Sequence, residues 1–178
     1  THMTTYEFAE EYLFTPLNMT IGSWGLDNQG IYNGGTLLYV TPRAMAKLGL
    51  LYLNNGTWDG VEIISEDYVA QSHYPHTEAV FLETHYGYQW WVDPEDGVFS
   101  AIGSQGQYIH VIPDYNIVIS ITANADEPGE DASDAILEYV LSAVLQEGMG
   151  PADLLPIFGI TTGVLAVTVV MLLYMKRK

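Results

Sequence analysis

The sequence predicts an α+β fold, an antiparallel sheet flanked by helices, with one C-terminal transmembrane helix appended. Three observations carry that reading. The first is the stretch Gly103–Ala123, in which Gln107–Ile112 and Ile117–Thr122 alternate with a period of two and are rich in β-branched residues. Pro113-Asp114-Tyr115-Asn116 breaks the alternation, so the two runs read as a hairpin. The second is helical periodicity on both sides of the strands, at Thr5–Phe14, Thr41–Leu53 and Asp131–Gln146. The third is Leu154–Met175, which holds no charged residue. A helix over that stretch, at about 1.5 Å per residue, reaches roughly 33 Å and exceeds a hydrocarbon core of about 30 Å.

Taken in order, Thr4 or Thr5 caps the first helix, Glu7 favours its first turn, and Phe8, Tyr12 and Leu13 supply its apolar stripe before Pro16 ends it. Residues 17–40 read as a long Gly- and Asn-rich loop with scattered aromatics, Trp24, Tyr32 and Tyr39. Loops of that length in compact domains either line sites or cover surface. Thr41 caps the second helix with Pro42 in its first position, Met45, Leu48, Leu51 and Tyr52 recur at helical spacing, and Asn54-Asn55-Gly56 stops it. Ser65 caps a short helix through about Gln71. Tyr86–Val92 reads as one strand, turned by Asp93–Gly97 into Val98–Ile102. Short connections between the strands that end at Ala123 favour a meander. Asp131–Gln146 is amphipathic, with Ile136, Leu137, Val140, Leu141, Val144 and Leu145 inward and Gly148 past its end. The expected organisation is one domain over 1–147, a linker over 148–153, the membrane helix over 154–175 and a basic tail over 176–178.

Charge separates these parts. The chain of 178 residues carries 22 acids against five Lys and Arg, and all the acids precede residue 154. Lys176-Arg177-Lys178 ends the apolar stretch, which leaves Arg43 and Lys47 as the cations of the domain. So acidic a surface repels nucleic acid, and nucleic-acid binding is set aside. The basic cluster places the C-terminus in the cytoplasm and the domain outside it, on a single-pass membrane protein. There is no cysteine, so no disulfide supports the domain. No secretory signal opens the sequence, and an anchored outer domain needs one, so the chain reads as the C-terminal part of a longer product.

Four features qualify as chemistry. Gly103-Ser104-Gln105-Gly106-Gln107 lets a ligand approach the backbone and exposes N–H groups suited to an oxyanion, although the residues alone read first as a tight turn entering a strand. His73-x-x-His76 with His85 has metal-like spacing, but no carboxylate set sharpens it and Pro75 breaks the helix; no metal and no cofactor is expected. Tyr86, Tyr88, Trp90 and Trp91 read as core packing first and a stacking wall second. Ser23, Ser100 and Ser104 lack a nucleophile context: no Ser lies three residues before a Lys, since Ala44 holds that place before Lys47.

The order of motifs resembles the β-lactamase-related serine hydrolases, which include class C β-lactamases, D-aminopeptidases, esterases and penicillin-binding proteins. Tyr6–Met19 is similar to the family's F-x-x-x-x-x-x-P-L-G-M segment, with Asn18 where Gly is usual. Gly34-Gly35-Thr36-Leu37 followed by Thr41–Ala46 resembles its G-G-L-x-x-T-x-x-D-M-A block, with Ala44 in place of Asp. Leu50–Ile64, Tyr86–Trp91 and Phe99–Pro113 resemble its L-L-x-x-G-x-W-x-G-x-x-I-I, Y-G-Y-G-W-W and F-x-A-x-G-x-x-G-Q-x-I-x-V-x-P stretches. The resemblance runs from the first residues to about Asn124.

It implies a partial β-lactamase/transpeptidase-like fold whose N-terminal strands and nucleophile helix, with the Ser-x-x-Lys and Tyr-x-Asn motifs, lie outside this chain. The missing N-terminal half is thus an expected partner, and the substrate a small acyl compound or peptide. The family's third motif falls on Ser104, Gln105 and Gly106, with the Gln107 N–H in the oxyanion role. Ser104 is neither Lys nor His, which points from β-lactamase activity proper towards esterase or peptidase-like specificity. The function expected is that of a membrane-anchored extracytoplasmic serine hydrolase acting through an acyl-enzyme, with this chain alone inactive. The alternative is a non-catalytic surface binding protein on the same scaffold. Residues 1–150 alone, with one sheet edge unpaired, are expected to be poorly soluble; hydrogen exchange showing a well-folded soluble monomer would contradict this.

Overall fold

The computed structural model describes residues 2–79, 84–123, 136, 139, 140, 142 and 168–173. Thr4 opens the chain with a capping box: its hydroxyl accepts from the Glu7 N–H, and the Glu7 carboxylate accepts from the Thr4 N–H. Helix α1, Thr5–Ala9, runs directly into a π-helical turn, Glu10–Phe14, in which the Thr15 N–H donates to the Glu10 carbonyl. That wider turn resets the inward face. Phe14 and Leu17 are buried, whereas Phe8 and Tyr12, expected as the apolar stripe, are about half exposed, with their rings in tilted contact at 4.8 Å. A strict 3.6-residue count cannot anticipate a turn of a different pitch.

Residues 17–40, expected as loop, contain a two-stranded antiparallel sheet, β1 (Ile21–Trp24) with β2 (Leu38–Val40). Helix α2, Pro42–Leu53, starts as expected: the Thr41 hydroxyl accepts from the Ala44 N–H and Pro42 occupies the first turn. A small hairpin, β3 (Thr57–Trp58) with β4 (Val61–Glu62), follows, and then α3, Glu66–Ser72, capped by Ser65.

The main sheet is antiparallel and, among the described residues, seven-stranded. Its strands β5 (Thr77–Ala79), β6 (Thr84–Tyr86), β7 (Trp91–Asp93), β8 (Val98–Gly103), β9 (Gln107–Ile112) and β10 (Ile117–Thr122) form the expected meander. β11, Thr168–Leu173, pairs with β10 at the far edge, from Ile117 opposite Leu173 to Thr122 opposite Thr168. The hairpin expected within Gly103–Ala123 is present: β9 and β10 pair from Gln107 opposite Thr122 to Ile112 opposite Ile117. Between them Pro113–Tyr115 make a 3-10 turn, and Asn116 takes the left-handed conformation that Asn tolerates.

Two expectations are corrected. Tyr86–Val92 is not one strand: Tyr86 pairs with Trp91 across a reversal in which the Gly87 N–H donates to the Trp90 carbonyl at 2.8 Å. The aromatic alternation there marks the two sides of a turn. The membrane helix expected over 154–175 is corrected at Thr168–Leu173, which is strand; the rest of that segment lies outside the described residues. Absence of charge suits a buried strand as well as a membrane helix, and Thr168, Val169 and Val170 are β-branched residues laid beside a ladder edge. No helix among the described residues is long and apolar enough to cross a membrane.

The sheet has an apolar layer on each face. On one, Leu50 of α2 joins Trp90, Val92, Phe99, Ile109, Val111 and Val118. On the other, Tyr108, Ile112, Ile117, Ile119 and Ile121 pack with Val140 and Ile136. Both of those belong to the expected Asp131–Gln146 helix; they are helical and face inward while Tyr139 faces out, and the remainder of that helix lies outside the described residues. The Ser120 hydroxyl donates to the Pro42 carbonyl at 3.0 Å and pins the start of α2 to the sheet.

Gly49 sets how closely α2 approaches. A Cβ there would stand 2.5 Å from Val118 Cγ1 and 2.9 Å from Ile109 Cγ2. Gly49→Ala gains about 1 kcal/mol of helix propensity but overpacks the interface at a cost of about 1–3 kcal/mol. We expect net destabilisation in urea unfolding, partly restored by adding Val118→Ala; a more stable Gly49→Ala would contradict the packing.

Candidate active site

The five residues Gly103–Gln107 form the tip between β8 and β9, with Gly103 opposite Gln107 in the ladder. Gln105 (φ 64°) and Gly106 (φ 86°) are both left-handed. A Cβ on Gly106 would meet the Ala123 Cβ at 2.7 Å, so both conformation and space exclude a side chain. Gln107 stiffens the tip: its side-chain amide donates to the Ala123 carbonyl and, at 3.3 Å, to the Gln105 carbonyl, while the Ala123 N–H donates to the Gly106 carbonyl. Ser104 stands exposed beside these groups.

A cavity of about 530 Å³ opens against this tip. Its near wall is Ile102, Gly103, Ser104 and Gln107. Its far wall comes from Trp24 at the end of β1 and from residues 33–38 leading into β2. The loop expected to line a site or cover surface therefore lines a cavity. Asn33 organises it. The Asn33 carbonyl accepts from Trp24 Nε1 at 2.7 Å, and its side-chain oxygen accepts from the Gly35 and Thr36 N–H groups, both at 3.0 Å. The Gly25 carbonyl accepts from the Asn33 N–H, and the Leu37 carbonyl from the Gly25 N–H. Leu37 itself sits at φ 64°, a conformation a γ-branched residue rarely holds, and this strain lies at the cavity mouth.

Sequence reasoning named Ser104, Gln105, Gly106 and Gln107, and the structure gathers them at one tip. It treated Gly34–Leu37 as a family marker and missed Trp24 and Asn33 as the framework of the opposing wall. An aromatic followed nine residues later by Asn-Gly-Gly was the available signal. Asn18, where the resembling family has Gly, is left-handed at φ 48°, which explains why Gly suits that position. The Asn18 carbonyl accepts from Lys47 Nζ.

The other candidates are placed elsewhere. Ser23 is exposed on β1. Ser100 is buried, its hydroxyl 2.8 Å from His110 Nδ1, and it does not line the cavity. His73 stacks on Phe99 at 4.4 Å, with its pKa lowered by burial, and His76 stacks on Tyr88 at 4.4 Å with Nε2 2.8 Å from the Gln71 carbonyl. Of the aromatic group, Trp90 is core, against Tyr52 and Phe99, and Tyr88 is half exposed. A second cavity of about 370 Å³, between the end of α2 and Asn116, is lined by one carboxylate, Asp59, and no base among the described residues.

The cleft thus has two walls, one at the tip between two inner strands of the meander and the other on the loop that leads into β2. The chain belongs to the Beta-lactamase family, whose model matches residues 1–143. Among solved structures it is similar to a Bacillus anthracis protein provisionally named 6-aminohexanoate-dimer hydrolase, at a TM-score of 0.67 and 23% identity over 81% of this chain. It spans 39% of that protein's length. No curated protein matches it.

His110 yields a pH prediction. It stacks on Tyr108 in the sheet, and burial pushes its pKa from an ordinary 6.5 down to about 4. The folded chain holds it neutral while the unfolded chain protonates it near 6.5. Its contribution is thus fully present above pH 6.5 and lost as pH falls towards 4, a swing of about 3 kcal/mol. Unfolding measured across that range should show the loss, and His110→Asn, which keeps a partner for Ser100, should flatten it; an unchanged profile would contradict the assignment.

Proposed function

We propose that this chain is one wall of a serine hydrolase that works through an acyl-enzyme. The observation that carries the proposal is the cavity joining the Ser104–Gln107 tip to the Trp24–Leu38 wall within a domain matched to the Beta-lactamase family. In this reading the nucleophile and its Lys and Tyr partners belong to a segment outside this sequence. The substrate's carbonyl oxygen sits against the Gly106-Gln107 corner, where the Gln107 N–H stabilises the developing oxyanion. Ser104 supplies a neutral hydroxyl where β-lactamases proper have a cation, which favours ester or peptide-like substrates. The solved neighbour's name, a dimer hydrolase, fits this class of reaction. The reading as a non-catalytic surface binding protein keeps its support in Ser104, where the family has Lys or His, and in Ala44, where it has Asp.

Membrane attachment, with the domain outside the cytoplasm, belongs to the same proposal and is supported by composition: an uncharged 154–175 followed by Lys176-Arg177-Lys178. The strand pairing of Thr168–Leu173 stands against a helix through those residues.

A fluorophosphonate probe should label a longer protein that contains this domain and leave this chain alone unlabelled. Absence of labelling in a well-folded longer protein would favour the binding reading. In that protein Gln107→Pro, which deletes the N–H at a strand's first residue, should lower kcat about 10²–10³-fold with a smaller change in KM. For attachment, a longer protein containing this domain should stay with the membranes after alkaline extraction and the same protein ending at 153 should be released; equal retention would contradict the anchor.

A further inference from the structure

The charge that the candidate site accepts can be read from where its hydrogen-bond donors already point. The Gly35 and Thr36 N–H groups, paired on a glycine-rich loop, are the natural place to receive a carboxylate, but both donate to Asn33 Oδ1. Trp24 Nε1 donates to the Asn33 carbonyl. The Gln107 amide donates to the Ala123 and Gln105 carbonyls. Among the described residues no charged side chain lines the cavity. Ser104 is left as a neutral hydroxyl. The mouth, by contrast, offers Leu37, Leu38 and Ile102, each exposed by more than a third, an apolar rim that a ligand would cover. Beyond the rim lies a chain of net charge −17, which repels anions as they approach.

We infer that the site selects electroneutral acyl substrates: an apolar acyl chain over Leu37, Leu38 and Ile102, and no carboxylate beside the scissile carbonyl. This rests on reading the site as part of an acyl-transfer centre. It adds a rejection rule to that reading. A substrate carboxylate would lose its hydration against this wall and find, among the described residues that line it, no cation and the Gly35 and Thr36 N–H pair already engaged.

Two ligands that differ in one group test the rule by binding, which needs no nucleophile. N-pentanoyl-glycinamide and N-pentanoyl-glycine are titrated into the full chain, with the Trp24 indole and the Ser104 and Gln107 backbone amides followed by NMR. The glycinamide should shift all three signals and bind about tenfold more tightly than the carboxylate, the size of a missing charge-assisted hydrogen bond. At about 1 M sodium chloride, where the screening length is about 3 Å, the gap should narrow only by its long-range part. Ser104→Lys should strengthen binding of the carboxylate relative to the glycinamide. Equal or tighter binding of the carboxylate at low salt overturns the proposal, as does failure of both ligands to move the Trp24 indole. If the preference holds but a longer protein fails to label with fluorophosphonate, the hydrolase reading falls and the charge selection stands.

Discussion

The contact on which the fold depends is the close approach of α2 to β9 and β10 at Gly49. With no side chain there, the helix backbone comes near enough for Leu50 and Leu51 to be buried, each a gain of about 1.5–3 kcal/mol. The Ser120 to Pro42 hydrogen bond fixes the helix start, and the sheet beneath is the hairpin whose far end carries Gly103–Gln107. The packing of one helix thereby holds still the strand that presents the candidate site. With α2 on one face and Ile136 and Val140 on the other, β10 is covered on both, and apart from Ser120 and Thr122 its side chains are apolar.

The parts legible in the sequence were those whose signals are local. Capping at Thr4, Thr41 and Ser65, the Pro113–Asn116 turn and the β9–β10 alternation each follow from the conformational preferences of a few neighbouring residues. What escaped was set by pitch, reversal or distance. The Glu10–Phe14 turn shifted the buried face away from Phe8 and Tyr12. The left-handed Gln89 and the Gly87 to Trp90 bond folded one apparent strand into two. β11 meets β10 across a long span of sequence, and no local pattern states such a pairing. The site divides in the same way. The Ser104–Gln107 tip could be read from its glycines and from family resemblance. The Trp24–Asn33 framework could not, because its logic is a set of backbone hydrogen bonds made only once β1 and β2 pair.

The two walls differ in what they contribute. The tip is rigid through its own turn geometry and the Gln107 amide, so its N–H groups are oriented before any ligand arrives, the condition under which such groups act on a developing charge. The opposing wall is rigid because its polar groups are spent on one another, which leaves apolar surface to face the ligand. In the proposed function, orientation comes from one wall and selectivity from the other.

The π-helical turn at Glu10–Phe14 has a consequence for how the chain tolerates change in length. Such a turn has the geometry of an α-helix that has absorbed one additional residue. Between Thr4, fixed by its capping box, and Phe14, fixed in the core, the path is one residue longer than an α-helix requires. Shortening the chain by one residue within that turn would relax it to ordinary helix with both ends still anchored. The same deletion in α2 would rotate every residue beyond it by about 100°, lifting Leu51 off the sheet. Two helices of similar appearance in sequence therefore differ sharply in their tolerance to the loss of a single residue.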